Sequence, residues 1–214
     1  MLFFISMEII KNFAVFEGTD GCGTTTQLSL LTERLKNRQK PVLFPTFEPT
    51  NGQIGKLIRA VLKKELPVKP ETLAMLFAAD RYEHIYGSDG ILSHVNMGEF
   101  AVSDRFAISS LVYQGIECGD ELPGFLNWRY PAPEVTIFLD IEPEIAIERM
   151  KSRSSFEIYE YLDFQKKARA KYISLIEKYR AAGAKVETID ASKSANEVAE
   201  EVWKILSQMP IFNV

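Results

Sequence analysis

The chain predicts an α/β fold, a five-stranded parallel sheet covered by helices on both faces, and three observations predict it. Short apolar runs alternate with longer segments of helical periodicity, the pattern of repeated βαβ units. Those runs are nearly continuous in apolar character rather than alternating, as strands covered on both faces require. The first run leads into FEGTDGCGTTTQ, a glycine-rich turn followed at once by a helical pattern.

Taken in order, a first strand is predicted over Phe13–Phe16. A helix over Thr25–Asn37 follows the glycine-rich turn, with Leu28, Leu31 and Leu35 at helical spacing. A second strand covers Val42–Thr46. Ile54–Leu62 and Glu71–Tyr86 read as helices, and Phe100–Ser103 and Val135–Leu139 as the next two strands. A long amphipathic helix is expected over Tyr161–Ala181, then a strand over Lys185–Ile189. The final helix, Ala195–Leu206, follows Ser194, whose hydroxyl suits an N-cap. Without a repeat, low-complexity tract or linker, residues 1–214 read as a single domain, long enough to bury a full core. Residues 1–6, MLFFIS, precede a second methionine, Met7, and read as an upstream start or a disordered tail. Five parallel strands with a phosphate-type loop after the first make a P-loop kinase core.

Composition narrows the ligands. With 46% apolar and 25% charged residues the chain is ordinary for a soluble protein. Its net charge of −4 provides no general field for nucleic acid, so an anionic ligand needs a local cluster of donors. Cys22 and Cys118 are the only cysteines, which suits a reducing cytoplasm and gives neither a disulfide framework nor a metal-ligand spacing. No apolar run approaches membrane-spanning length.

The turn carries the chemistry. In the pattern G-x-x-x-x-G-K-[ST] its glycines are Gly18 and Gly23, the lysine position is Thr24 and the Ser/Thr position is Thr25, followed by Thr26. Successive backbone N–H groups and the helix N-terminus form an anion site. Gly21 and Gly23 let phosphate oxygens approach the backbone. The Thr25 hydroxyl stands where such loops supply a Mg²⁺ ligand. Thr24 can donate a hydrogen bond to a phosphate oxygen but brings no charge.

Five blocks of sequence resemble the thymidylate kinase family of P-loop nucleoside monophosphate kinases. Phe13–Gln27 is similar to F-x-V-F-E-G-x-D-G-x-G-K-T-T-Q, and Thr46–Arg59, TFEPTNGQIGKLIR, to T-R-E-P-G-G-T-x-x-G. Leu76–His84 (LFAADRYEH), Ser103–Gly115 (SDRFAISSLVYQG) and Ile158–Gln165, the end of the lid, match three more in family order. The resemblance implies ATP-dependent phosphorylation of dTMP to dTDP with Mg²⁺, in a cytoplasmic homodimer. It places Gly18, Gly21, Cys22, Gly23, Thr24, Thr25 and Thr26 around the ATP phosphates, and Thr25 with Asp104 on the metal. Asp20 then accepts a hydrogen bond from the 3′-hydroxyl, Phe77 stacks on the pyrimidine, and Arg81 bonds the base O4. Arg105 contacts the acceptor phosphate, the Tyr113 ring packs beside C2′ and Gln114 lies along the base. Glu48, Pro49, Ser109 and Tyr159 complete the dTMP pocket. Asp104, Arg105 and Arg153 are the expected catalytic residues, and the lid spans about residues 149–160.

Several of these residues have plainer readings alone. Phe77 suits core packing, Arg81 a surface charge paired with Asp80 or Glu83, Asp104–Arg105 a helix cap, and Tyr113 a half-buried ring. His84 and His94 show no partner spacing and read as structural or exposed. Three positions also depart from the family by losing positive charge: Thr24, the Phe47 to Thr50 segment, and Ile158 before Tyr159. Gly21 likewise lacks the arginine of eukaryotic members. Lys56, Arg59, Arg149, Lys151 and Arg153 are expected to border the cleft and could compensate. A kinase for another (deoxy)nucleoside or nucleotide, or a non-catalytic regulatory nucleotide-binding protein, are the alternatives these losses leave open.

Overall fold

The computed structural model describes residues 8–38, 41–151, 159 and 161–213. Strands β1 (Ile9–Gly18), β2 (Leu43–Phe47), β3 (Phe100–Asp104), β4 (Ala132–Asp140) and β5 (Val186–Asp190) form one sheet, in the order β2-β3-β1-β4-β5. Every neighbouring pair is parallel. The helices are α1 (Thr24–Leu35), α2 (Gln53–Leu62), α3 (Pro70–Tyr86), α4 (Ile91–Asn96), α5 (Ala107–Cys118), α6 (Glu121–Asn127), α7 (Pro143–Met150), α8 (Leu162–Ala181) and α9 (Ala195–Leu206).

The central strand explains the continuous apolar runs. On β1, Ala14 and Phe16 join a cluster with Leu28, Leu31, Val198 and Val202 of α1 and α9. Phe13 and Val15 face the other way, into a cluster with Ile85, Ile91 and Phe106. Both faces are dry from Phe13 to Phe16, so each position there takes an apolar side chain. A third cluster under α2, α5 and α8 is centred on Ile58, Val112, Phe138 and Tyr172.

The predicted strands and helices all form, most ends moving by a residue or two, while β1 begins four residues and β4 three residues earlier than predicted. Val42 lies outside β2, is 52% exposed, and leaves Phe47 as the last strand residue. Pro45 is tolerated in β2 because this is an edge strand. Helices α4, α5, α6 and α7 were not predicted. Helix α5 buries the polar Ser110 and Gln114 along with Ile108 and Val112, so its buried face leaves no clean apolar stripe, while α6 carries Pro123 and Gly124. No helix among the described residues is long and apolar enough to cross a membrane.

Topology positions the site. The loop after β1 and the turn after β3 emerge side by side, because Phe16 is in register with Asp104. Ligands of open parallel sheets bind at such carboxyl ends.

At α9 the expected cap is a capping box: Ser194 Oγ accepts from the Glu197 amide, and the Glu197 carboxylate accepts from the Ser194 amide at 3.0 Å. Ser194→Ala is expected to lower unfolding free energy by about 1 kcal/mol, which urea denaturation at neutral pH would measure; no change would show the cap to be idle.

Candidate active site

The loop between β1 and α1 needs its glycines for backbone reasons. Gly21 has φ +81°, and a Cβ there would come within 2.6 Å of the Ala146 carbonyl oxygen. Gly23 has φ +102° and is the N-cap of α1, so the first-turn amides of Thr24 to Thr26 open into the cavity beyond. That cavity, of about 700 Å³, is walled by the loop, Asp104, Arg105, Arg149, Lys193 and the start of α9. Cys22 is buried beneath it, and burial pushes its thiol up to about 11, leaving it inert. Thr24, at the lysine position, is buried in the cavity wall.

Of the five basic residues expected at the cleft, Arg149 lines it. Its guanidinium donates to the carbonyls of Ala191, Ser192 and Lys193 at 2.9–3.4 Å. Arg59 instead donates to the Pro49 carbonyl at 2.7 Å, and Lys151 pairs with Glu148. Lys56 is exposed on α2 and is not part of the wall. Arg153 and Ile158 lie outside the described residues. Lys193, which sequence reasoning missed, lines the cavity while pairing with Glu201 at 2.6 Å.

Thr25 Oγ1 donates to Asp104 Oδ2 at 2.6 Å, tying the loop to the end of β3. Asp104 Oδ1 is buried with no hydrogen-bond partner. One hydroxyl and one orphaned carboxylate oxygen are hard oxygen donors of the kind that would hold Mg²⁺. No group of three or more His, Cys, Asp or Glu side chains suited to a metal occurs among the described residues.

Next to this pair stands Arg105, in the left-handed region at φ 71°. Its guanidinium donates to the Gly18 carbonyl (2.6 Å), Asp20 Oδ1 (2.6 Å), and the hydroxyls of Ser109 and Tyr172 (both 3.3 Å). Burial alone would lower its pKa, but Tyr113 and Asp20 beside it push it well above the usual value. The other Asp20 oxygen accepts from Gln165 at 2.8 Å, and the same amide nitrogen donates to the Tyr159 carbonyl.

Below Arg105 lies Glu17, 1% exposed. Its carboxylate accepts from the amides of Phe106 (3.1 Å) and Ser109 (3.2 Å), and from the Ser109 (2.6 Å) and Tyr172 (3.0 Å) hydroxyls. Burial pushes the carboxyl up to about 7, against the pull of those donors and Arg105.

A smaller cavity of about 120 Å³ adjoins, and Asp20, Glu48 and Arg105 belong to both. Around it stand Pro49, Phe77, Arg81, Ser109, Tyr113, Gln114 and Tyr159 as well, so every residue expected in the dTMP pocket lines one space. Phe77 is half-buried rather than core. Arg81, 1% exposed, is no surface charge and pairs with neither Asp80 nor Glu83. It donates to Glu48 Oε2 (2.5 Å), the Phe106 carbonyl (3.1 Å), Ser110 Oγ (3.1 Å) and Asn127 Oδ1. Asp80 instead accepts from the amide and hydroxyl of Thr50, both at 2.7 Å. His84, for which spacing gave no partner, is buried between Thr46 Oγ1 (2.7 Å) and Glu48 Oε1 (3.0 Å). Burial alone would raise the Glu48 carboxyl, but Arg81 and His84 outweigh it and hold it below the ordinary range. Two buried polar atoms here lack partners: Arg81 Nε and Gln114 Oε1.

Sequence reasoning missed Glu17, Asn127 and Tyr172. Glu17 was visible in the FEG motif, but Asn127 and Tyr172 act through contacts 46 and 155 residues away, which no local pattern reveals.

The raised Glu17 pKa has a consequence for stability. The folded state holds this proton between about pH 4.5 and 7 while the unfolded chain releases it. Its contribution is therefore complete below the unfolded value and is lost as pH rises through 7, on the order of 3 kcal/mol in all. Relative to Glu17→Gln, the wild type should lose stability between pH 5 and 8 in denaturant titrations. A pH-independent difference would count against the buried carboxyl.

Comparison with known proteins adds the lineage. A family model described as thymidylate kinase matches residues 16–202. Relatives carrying thymidylate kinase names align along nearly the whole chain. One from Treponema pallidum is 43% identical, covering 92% of this chain and 95% of its own. One from Pyrobaculum aerophilum is 38% identical, and one from Methanococcus maripaludis 40%, each covering 94% of this chain and 98% of its own.

Proposed function

The chain belongs to the thymidylate kinase family, and we propose that its two adjoining cavities hold the two substrates of ATP-dependent dTMP phosphorylation. The larger takes the phosphates of ATP on the loop amides and the α1 N-terminus. The smaller takes dTMP. An ionised oxygen of the dTMP phosphate attacks the γ-phosphorus in line as the bond to the β,γ-bridging oxygen breaks and ADP leaves, so no general base is required. Positioning and charge neutralisation do most of the work of phosphoryl transfer. Arg105, common to both cavities, holds the acceptor phosphate against the donor. Thr25 and Asp104 would hold Mg²⁺, which supplies positive charge at the β,γ-phosphates when bound. The lid of about residues 149–160, with Arg153, would add charge and exclude water on closing.

One observation carries the choice of base. Arg81 Nε is a buried donor without a partner, and Gln114 Oε1 a buried acceptor without one, at the same cavity. Thymine offers the complementary pair, an O4 acceptor beside an N3–H donor. Cytosine presents the reverse, leaving both protein atoms buried and unpaired. Phe77 supplies a stacking surface, and the Tyr113 ring crowds the sugar. In an ADP-release assay with saturating Mg-ATP, dTMP should turn over and dCMP should be poorer in kcat/KM by roughly two orders of magnitude or more. Absence of dTMP turnover would end this reading.

A homodimer fits an apolar surface stripe. On α3, Met75, Tyr82 and Tyr86 are 44–56% exposed at helical spacing, and on α6 Phe125 is 60% exposed. Burying such a patch is the usual reason for having one. The free thiols of Cys22 and Cys118 accord with a cytoplasmic setting. Light scattering should give a dimer mass, and Tyr82→Glu should shift it towards monomer; a monomeric wild type at micromolar concentration would remove the dimer.

A further inference from the structure

We infer that Glu17 is a positioning residue for phosphoryl transfer: ionised, it fixes two hydroxyl groups as acceptors for Arg105 and so aims that guanidinium at the acceptor phosphate. The inference rests on the reading of Arg105 given above.

The geometry carries it. Glu17 touches neither cavity's reacting end directly; it works through Ser109 and Tyr172. Both hydroxyls donate to Glu17 Oε2, at 2.6 and 3.0 Å. Each hydroxyl has one proton, so a proton committed to Glu17 turns the oxygen lone pairs outward. There Arg105 Nη1, whose short bond goes to the Gly18 carbonyl at 2.6 Å, turns its other proton towards both, at 3.3 Å each, with the Tyr113 hydroxyl at 3.4 Å. The Ser109 and Tyr172 oxygens are themselves 2.8 Å apart, and with both protons on Glu17 that contact holds none, so the pair needs an outside donor.

Glu17 also anchors the element that carries the acceptor wall. Helix α5 begins at Phe106, which offers no side-chain cap. Glu17, from β1, accepts from the amides of Phe106 and Ser109 instead, a cap supplied across the fold. Ser109, Tyr113 and Gln114 are all mounted on that helix.

The charged and titratable groups facing Glu17 are Arg105 from the turn after β3, and Tyr172 and Tyr179 from α8. Only Arg105 is positively charged among them, and it sits behind the two hydroxyls rather than on the carboxylate. A protonated Glu17 must donate its own proton, and the acceptors within reach are the Ser109 and Tyr172 oxygens. That reverses one rotor and takes an acceptor from Arg105. Turnover should therefore depend on Glu17 ionisation near neutrality, where burial has placed it.

The test compares wild type, Glu17→Gln, Tyr172→Phe and Arg105→Lys with dTMP and Mg-ATP between pH 5.5 and 9. Wild-type kcat should rise with an apparent pKa near 7, beyond the limb due to the substrate phosphate at about 6. Glu17→Gln should lose that limb and reduce kcat roughly ten- to a hundredfold, with the KM for ATP unchanged. Its thermal midpoint at pH 8 should equal or exceed that of wild type, which a purely structural role would not give. Tyr172→Phe, which keeps the ring, should lower kcat several-fold and serves if Glu17→Gln does not fold. A Glu17→Gln enzyme within twofold of wild type, or one keeping the pH 7 limb, overturns the proposal, as does an unaffected Tyr172→Phe. If Arg105→Lys is crippled while Glu17→Gln is not, the proposal fails alone. If Arg105→Lys works normally, the reading of Arg105 fails and takes the proposal with it.

Discussion

One partly buried guanidinium ties the working parts of this molecule together. Arg105 leaves the end of β3 in a left-handed conformation and reaches the β1 loop through Gly18 and Asp20, α5 through Ser109, and α8 through Tyr172. A charge drawn partly out of water needs partners, so the surrounding acceptors serve folding as well as chemistry. The left-handed backbone adds strain on the order of 1 kcal/mol or more, which these contacts must offset. Loop, helix and sheet edge are thus held in one arrangement before any ligand arrives.

The donor side is organised differently. Thr24 removes an ammonium group, and the cations among the described residues that line the larger cavity are Arg105, Arg149 and Lys193. The last two are bonded to the β5–α9 loop or to Glu201. On the proposed reading, what would face the phosphates is mainly backbone: the loop amides and the α1 N-terminus, where the macrodipole favours anions. The positions near Phe47 tell a similar story. Thr50, standing where eukaryotic relatives have an arginine, is bound to Asp80, and Arg59 holds the same segment through Pro49. In this chain the segment is held by contacts that stiffen the loop.

The fold was legible because a parallel sheet writes itself as apolar runs, and β1 shows why: its alternate residues enter separate cores. Helix α5 was not, since its residues face protein on most sides and leave no clean period. The phosphate loop was legible as well, because Gly21 and Gly23 hold conformations that other residues resist. Arg81 shows where local reading stops. Sequence offered Asp80 and Glu83 as partners, but carboxylates next to it on the helix lost to Glu48, which the β2 end brings in from 33 residues away. Glu48 in turn engages His84, so a histidine without a sequence partner braces a residue that lines the smaller cavity. Pairing of this kind is set by topology, and spacing along the chain carries no record of it.

The buried state of Arg81 bears on how a base would be chosen. Its Nη groups are committed to Glu48, Asn127, Ser110 and a carbonyl, so the side chain is fixed without ligand and only Nε remains unpaired. A preorganised donor loses little entropy when a matching base binds. A base with the wrong edge must leave that donor, and the Gln114 acceptor, buried and unsatisfied, at about 1–3 kcal/mol each. The same rigidity that burial imposes on the guanidinium therefore turns a small cavity into a selective one. Discrimination would then reside in groups assembled by folding, with phosphate loop and metal left to serve the transfer itself.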